Sequence, residues 1–341
     1  MRGPLSTRDG NEVGGGVIGR RWAAIGIALV ASATLFTVGR TASADEPAAF
    51  PVPYGAEARS TKDRPADASP PGSNDFDCKP SERHPNPVVL VHGLGANQWE
   101  NWQTIAPLLA NEGYCVFSLT YGRNPLAPPG LDQIGGLKRM EESARELGHF
   151  IDKVRDATEA DKVDIVGHSE GSLMPNYYVK FLGGARYVDH YVGMTPLWDG
   201  TKLLGLHLLY QAGKPFGLSA AASATLAPLC ASCTQFLHGS DFIKKMSSGG
   251  GPAVDGVKYT MIMTRYDELV IPYTSGIMHN GDAKNTVLQE GCPNDVAEHV
   301  AVAFDPITAQ HILNALDPKH SRPVDCHATS AQRTESEPDP R

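Results

Sequence analysis

The stretch Val163-Asp164-Ile165-Val166-Gly167-His168-Ser169-Glu170-Gly171 constrains this 341-residue chain more than any other. A short apolar run suited to a buried strand leads directly into the pattern G-x-S-x-G, and residues 173–182 then read as a helix. The pentapeptide alone is weak in a chain with 35 glycines; its strand–turn–helix setting carries the weight. That setting puts a serine on a strained turn with its hydroxyl outward and a helix N-terminus behind it. Side chains at Gly167 and Gly171 would meet the neighbouring strand and helix, so both are expected to shape the turn. A serine hydroxyl is a weak nucleophile until a base takes its proton and a third group orients the base. Ser169 therefore needs partners elsewhere in the chain.

The rest of the pattern supports the same kind of frame. Residues 87–91, 114–119, 163–166, 187–194 and 257–263 read as buried strands, with 286–288 a weak sixth. Helical spacing is found at 102–110, 136–155, 173–182 and 306–316; in the second, Leu137, Met140, Ala144, Leu147 and Ile151 share one stripe. Alternating strands and helices predict an α/β fold, a mainly parallel sheet with helices on both faces. Residues at about 200–251 break the alternation and are expected to form a cap or lid insertion over the C-terminal edge of the sheet. Within it, 203–210 is apolar all round if helical, which suits either a buried helix or a lipid-facing lid.

The chain ends read differently from the middle. Arg20 and Arg21 precede an apolar run, 22–38, that closes on Ala42-Ser43-Ala44. This predicts a signal peptide over 1–44, cleaved near Ala44, by the Sec or the twin-arginine route, and hence a secreted, extracellular protein. Residues 45–75 read as a Pro/Ala-rich linker and 319–341 as a polar tail, which leaves 76–318 as the catalytic domain. The chain is 41% hydrophobic, enough for a large core, and carries a net charge of −8. Residues 1–44 hold five basic and two acidic residues, so their removal leaves 25 against 36 and a charge of −11. An acidic balance argues against nucleic acid as a partner.

Six cysteines are too few for a disulfide scaffold, but an even number fits a few staples in an oxidising compartment. A Cys78–Cys115 bridge would pin the start of the domain, and a Cys292–Cys326 bridge would tie down the tail. Cys230-Ala231-Ser232-Cys233 lacks a second ligand pair at zinc spacing and a thioredoxin-like setting, so a small structural bridge, Cys230–Cys233, is expected. This is one of 15 connectivities open to six cysteines. No carboxylate cluster has calcium spacing, so neither a metal nor a cofactor is expected.

On a sheet of this kind the acid follows a late strand and precedes the histidine. Thr264-Arg265-Tyr266-Asp267-Glu268 follows the strand at 257–263, which makes Asp267 the candidate, with Glu268 one residue away as the alternative. Among the later histidines, His320 and His327 lie in the polar tail, His311 falls inside the last helix, and His279 comes too soon after the acid. His299 sits in a loop ahead of the last helix, where a base can face Ser169. A developing oxyanion needs two backbone N–H donors. The residue after the serine, Glu170, supplies one, and Leu94 in the loop His92-Gly93-Leu94-Gly95 is the candidate for the other.

These residues resemble the α/β-hydrolase lipases, and among them the secreted bacterial class 2 triacylglycerol lipases. The resemblance rests on Val89-Leu90-Val91-His92-Gly93-Leu94-Gly95-Ala96-Asn97, on Gly167-His168-Ser169-Glu170-Gly171-Ser172-Leu173-Met174-Pro175, on Tyr266-Asp267-Glu268 and on Glu298-His299. It spans about residues 78–317. It implies hydrolysis of carboxylic esters such as triacylglycerols by Ser169, Asp267 and His299 through an acyl-enzyme, with acyl chains in a hydrophobic cleft. An acyltransferase with an alcohol or sugar acceptor would use the same triad. The expected partner is an acyl ester or lipid, with transient contact to a lipid interface through the cap, and the chain is expected to act as a monomer.

Overall fold

The computed structural model describes residues 49–58, 67–124, 132–203 and 217–328, together with Leu208, Gln211 and Lys214. The expected signal peptide, most of the apolar run at 203–210 and the end of the tail lie outside these residues. The described strands are β1 (Val88–Val91), β2 (Val116–Leu119), β3 (Val163–His168), β4 (Val188–Met194), β5 (Lys258–Met263) and β6 (Lys284–Val287). They form one sheet in the order β2-β1-β3-β4-β5-β6, and every neighbouring pair is parallel. β1 continues to β2 on one side while its other neighbour, β3, continues to β4 on the opposite side. The C-terminal ends of β1 and β3 therefore flank the point where the chain changes direction, where open parallel sheets form a crevice.

The unbroken apolar run of β1 has a direct cause. Val89 and Val91 point into a core shared with the helices Met140–Thr158 and Pro175–Phe181. Val88 and Leu90 point into a second core, with the helices Ile105–Asn111 and Pro306–Leu316. With helices on both faces, no position along the strand is left for a polar side chain.

The expected elements are present, with shifted ends that follow from local contacts. The helix expected from 136 begins at Met140. Gly136 and Leu137 are occupied otherwise, their N–H groups donating to the carbonyls of Tyr121 (2.8 Å) and Gly122 (2.9 Å). The helix expected at 102–110 begins at Ile105 and runs to Asn111; a separate turn of helix, Gln98–Asn101, precedes it, with Trp102 buried between them. Pro175 opens a new helix instead of continuing Glu170–Leu173.

Two stretches pack more closely than their composition predicts. In the expected linker, Tyr54 and Ala58 are buried in the second core, and Asn111 holds Phe50 through two hydrogen bonds of 2.8 Å. Ser73 forms a parallel bridge with Val116. In the expected cap, the helix Asp241–Ser247 gives Phe242, Ile243 and Met246 to the first core, so this helix belongs to the sheet's packing. Disulfides join Cys78 to Cys115, Cys230 to Cys233 and Cys292 to Cys326. No described helix is long and apolar enough to cross a membrane.

Candidate active site

Ser169 follows β3 directly and holds φ 55° and ψ −121°, a region that side-chain-bearing residues rarely enter. The elbow is locked from both sides. Ser169 N–H donates to the Met194 carbonyl of β4 at 2.9 Å, while its own carbonyl accepts from Ser172 N–H (2.8 Å) and Ser172 Oγ (2.6 Å). Gly167 and Gly171 lie where the sequence pattern requires bare backbone: a Cβ at Gly167 would overlap the Gly171 carbonyl, and one at Gly171 the carbonyls of Val91 and His92.

The acid and the histidine come together from two loops. Asp267 Oδ1 and Oδ2 stand 2.8 and 2.9 Å from His299 Nδ1. Both side chains are nearly sealed, at 2% and 4% exposure. Asp267 Oδ1 also accepts from the N–H groups of Leu269 (3.0 Å) and Val270 (2.7 Å), which fixes the carboxylate plane. Glu268 takes a different place, accepting from the His299 backbone N–H at 3.2 Å. Thr264 Oγ1 donates to the Ala297 carbonyl (2.6 Å) and ties the two loops together. Ser169 and His299 line one cavity of about 550 Å³, with Leu94, Leu197, Phe236 and Phe304 among its apolar walls. Leu203 and Phe236 bring the insertion to this wall.

The loop after β1 closes the other side. A Cβ on Gly93 would stand 3.3 Å from the Ser169 Cβ, so the loop backbone lies directly against the serine. Asn101 Oδ1 accepts from Gly93 N–H at 3.1 Å and braces the loop. Among the described residues, the N–H groups of Leu94 and Glu170 donate to no protein acceptor. Both residues line the cavity. His92 stays behind the loop, stacked on Tyr121 at 4.4 Å, with Nδ1 2.7 Å from the Gly93 carbonyl.

Sequence reasoning did not find His168. It is buried, with Nδ1 3.0 Å from Asn101 Oδ1 and Nε2 2.9 Å from the His299 carbonyl, so it links the β1 loop to the histidine loop. As the variable second residue of G-x-S-x-G it gives no signal of its own. Burial pushes His168 down to about 3 and His92 down to about 4. Both are neutral in the fold but titrate near 6.5 in an unfolded chain, which therefore takes up protons first as pH falls. Each should cost about 2 kcal/mol of stability by pH 5, a loss that begins near 6.5 and continues to about 4 for His92 and 3 for His168. Urea unfolding at pH 7 and pH 5 measures this, and His168→Asn should flatten the dependence.

Among the described residues, one group of side chains has the donor atoms and spacing of an ion site. Asp164, Asp189 and His190 gather near the start of β4, at the opposite end of the strands from Ser169. Lys258 Nζ already pairs with Asp189 at 2.9 Å, and Asn86 and the His190 N–H bond Asp164, so cationic and neutral donors fill the cluster.

A strained serine after the third strand of a parallel sheet, lining one apolar cavity with a histidine that an aspartate holds, defines a protein of the α/β-hydrolase class. The description "Lipase (class 2)" matches residues 85–311, two thirds of the chain. The protein belongs to the class 2 lipase family. Among solved structures, Aspergillus fumigatus lipase B is similar at 20% identity and a TM-score of 0.56, over 76% of this chain. This chain spans 57% of that lipase, and the likeness is one of fold. The mature form of Bacillus licheniformis lipase BlEst2 matches 75% of this chain and 100% of its own, at 13% identity and a TM-score of 0.47.

Proposed function

We propose that the protein is a secreted carboxylic ester hydrolase, a lipase or esterase, acting on acyl esters with an apolar acyl chain. The observation that carries this reading is that His299, held by the sealed Asp267 carboxylate, lines the same apolar cavity as the strained Ser169. His299 Nδ1–H is held by the carboxylate, so Nε2 is the basic nitrogen. It takes the Ser169 proton as Oγ attacks the ester carbonyl carbon. The carbonyl oxygen gathers negative charge, which the N–H groups of Leu94 and Glu170 are free to bind. His299 then gives its proton to the leaving alcohol, leaving the acyl group on Ser169. Water, deprotonated by the same imidazole, releases the acid and restores the serine.

Three disulfides among the described residues suit an oxidising compartment, which agrees with the export signal read over 1–44. The test is covalent trapping. A lipid-mimicking phosphonate should add one mass increment to the protein and map by peptide digestion to Ser169, with p-nitrophenyl ester hydrolysis lost in proportion. Labelling at another residue, or full esterase activity in Ser169→Ala, refutes the assignment. Rates on esters from butyrate to oleate, below and above their solubility limits, then separate esterase from lipase.

A further inference from the structure

The chemistry above uses the backbone of Glu170 and leaves its side chain without a role. That carboxyl is 2% exposed. Its Oε1 stands 3.3 Å from Tyr121 Oη, and its Oε2 has no hydrogen-bond partner. Burial pushes it up to about 8, a rise that the hydroxyls of Ser232 and Tyr121 partly offset.

Counting protons shows which form the surroundings accept. Tyr121 has one phenolic proton, and the His92 carbonyl at 2.9 Å is its nearer acceptor. Ser232 also has one, donated to the Gly136 carbonyl at 2.6 Å. Tyr121 also donates to Glu170 Oε1 at 3.3 Å, so a Glu170 carboxylate would have to share these protons with the two backbone carbonyls. The neutral acid supplies its own. Of the other titratable groups nearby, His92 is stacked on Tyr121 and neutral, and Glu146 is turned to Gly122 N–H at 3.1 Å.

The same cluster lies beside the N–H groups of Leu94 and Glu170. Glu170 carries one. Gly136, which accepts from Ser232, packs against the other: a Cβ there would stand 3.1 Å from Leu94 Cα and 3.4 Å from Glu170 Oε1. The neighbouring backbone is paired to the same loop, Gly95 N–H to the Gly135 carbonyl (3.1 Å) and Gly135 N–H to the Ala96 carbonyl (2.8 Å). Ser232 itself is fully buried, in the turn closed by the Cys230–Cys233 disulfide and anchored by Ala231 N–H on the Leu137 carbonyl at 2.7 Å.

We infer that Ser232 is a positioning residue for the oxyanion site: the disulfide-closed turn holds its hydroxyl between Gly136 and the Glu170 carboxyl, and so sets the spacing of the Leu94 and Glu170 N–H groups. This rests on the proposed reading of those two groups as oxyanion donors. Misplacing a donor acts where charge develops, so kcat falls while substrate binding is little changed.

The experiment compares the parent with Ser232→Ala and Glu170→Gln, with rates expressed per site labelled by the phosphonate so that misfolded protein is not counted. Ser232→Ala should lower kcat about tenfold and leave KM within about twofold. In the parent, kcat should decline as pH rises past about 8. In Glu170→Gln, which cannot ionise, that decline should be displaced upward or vanish. A parent-like kcat in Ser232→Ala, or an unchanged alkaline limb in Glu170→Gln, overturns the inference. If Ser169→Ala is dead while Ser232→Ala is parent-like, only the positioning role falls; if Ser169→Ala is active, the reading beneath it falls too.

Discussion

Asp267→Asn should lower kcat on a soluble p-nitrophenyl ester by about 10⁴-fold, with KM little changed and the fold intact. The size follows from how Asp267 is held. Its Oδ1 accepts two backbone N–H groups, from Leu269 at 3.0 Å and Val270 at 2.7 Å, as well as facing His299 Nδ1. An asparagine must keep an oxygen towards those two donors, which turns its NH₂ group to the imidazole. His299 Nδ1 then becomes an acceptor and Nε2 carries the proton, so the ring cannot take one from Ser169. Glu268→Gln is the control, because Glu268 contacts the His299 backbone N–H and a glutamine oxygen can still accept it. It should lose less than about tenfold. Comparable losses in both variants would mean that the two carboxylates share the role; an active Asp267→Asn would remove Asp267 from it.

The contrast between those two carboxylates also shows what the sequence could not resolve. Asp267 and Glu268 are adjacent at a strand end, and which of them faces the imidazole depends on how the loop turns, a matter of backbone geometry and not of residue type. The elements that were legible are those with a strong local cause. β1 is wholly apolar, and β3 and β5 largely so, because helices cover both faces, and the helix Pro306–Leu316 begins at an Asp305 cap followed by proline. The packing of Tyr54 and Ala58 within the expected linker had no comparable signal. The two lie four residues apart about a single short helical turn, Gly55–Ala58, too brief to stand out as a pattern in a proline-containing segment. Ser232 was invisible for a similar reason: its partners, Gly136 and Glu170, lie some 60 or more residues away, and nothing in Cys-Ala-Ser-Cys points to them.

The strongest of these local causes yields the second large effect. Gly171→Ala should destabilise the protein by about 4 kcal/mol or more, enough to appear as insoluble expression or a steep drop in the urea midpoint. A methyl group at this position would overlap the carbonyls of Val91 and His92, backbone atoms at and just beyond the end of the buried strand β1. Neither carbonyl can give way by a rotamer change, because Val91 is fixed in register against both Leu119 and Gly167. Relief would require moving the helix that starts at Glu170 away from the strand, and Ser169 with it. Gly291→Ala provides the control, since a Cβ there meets nothing within 4 Å, and it should stay within about 0.5 kcal/mol of the parent. If Gly171→Ala were as stable as Gly291→Ala, the close approach of elbow and strand would be wrong. The glycine would then be a chance feature of the pattern and not the condition that lets a serine stand at the end of β3 with a helix directly behind it.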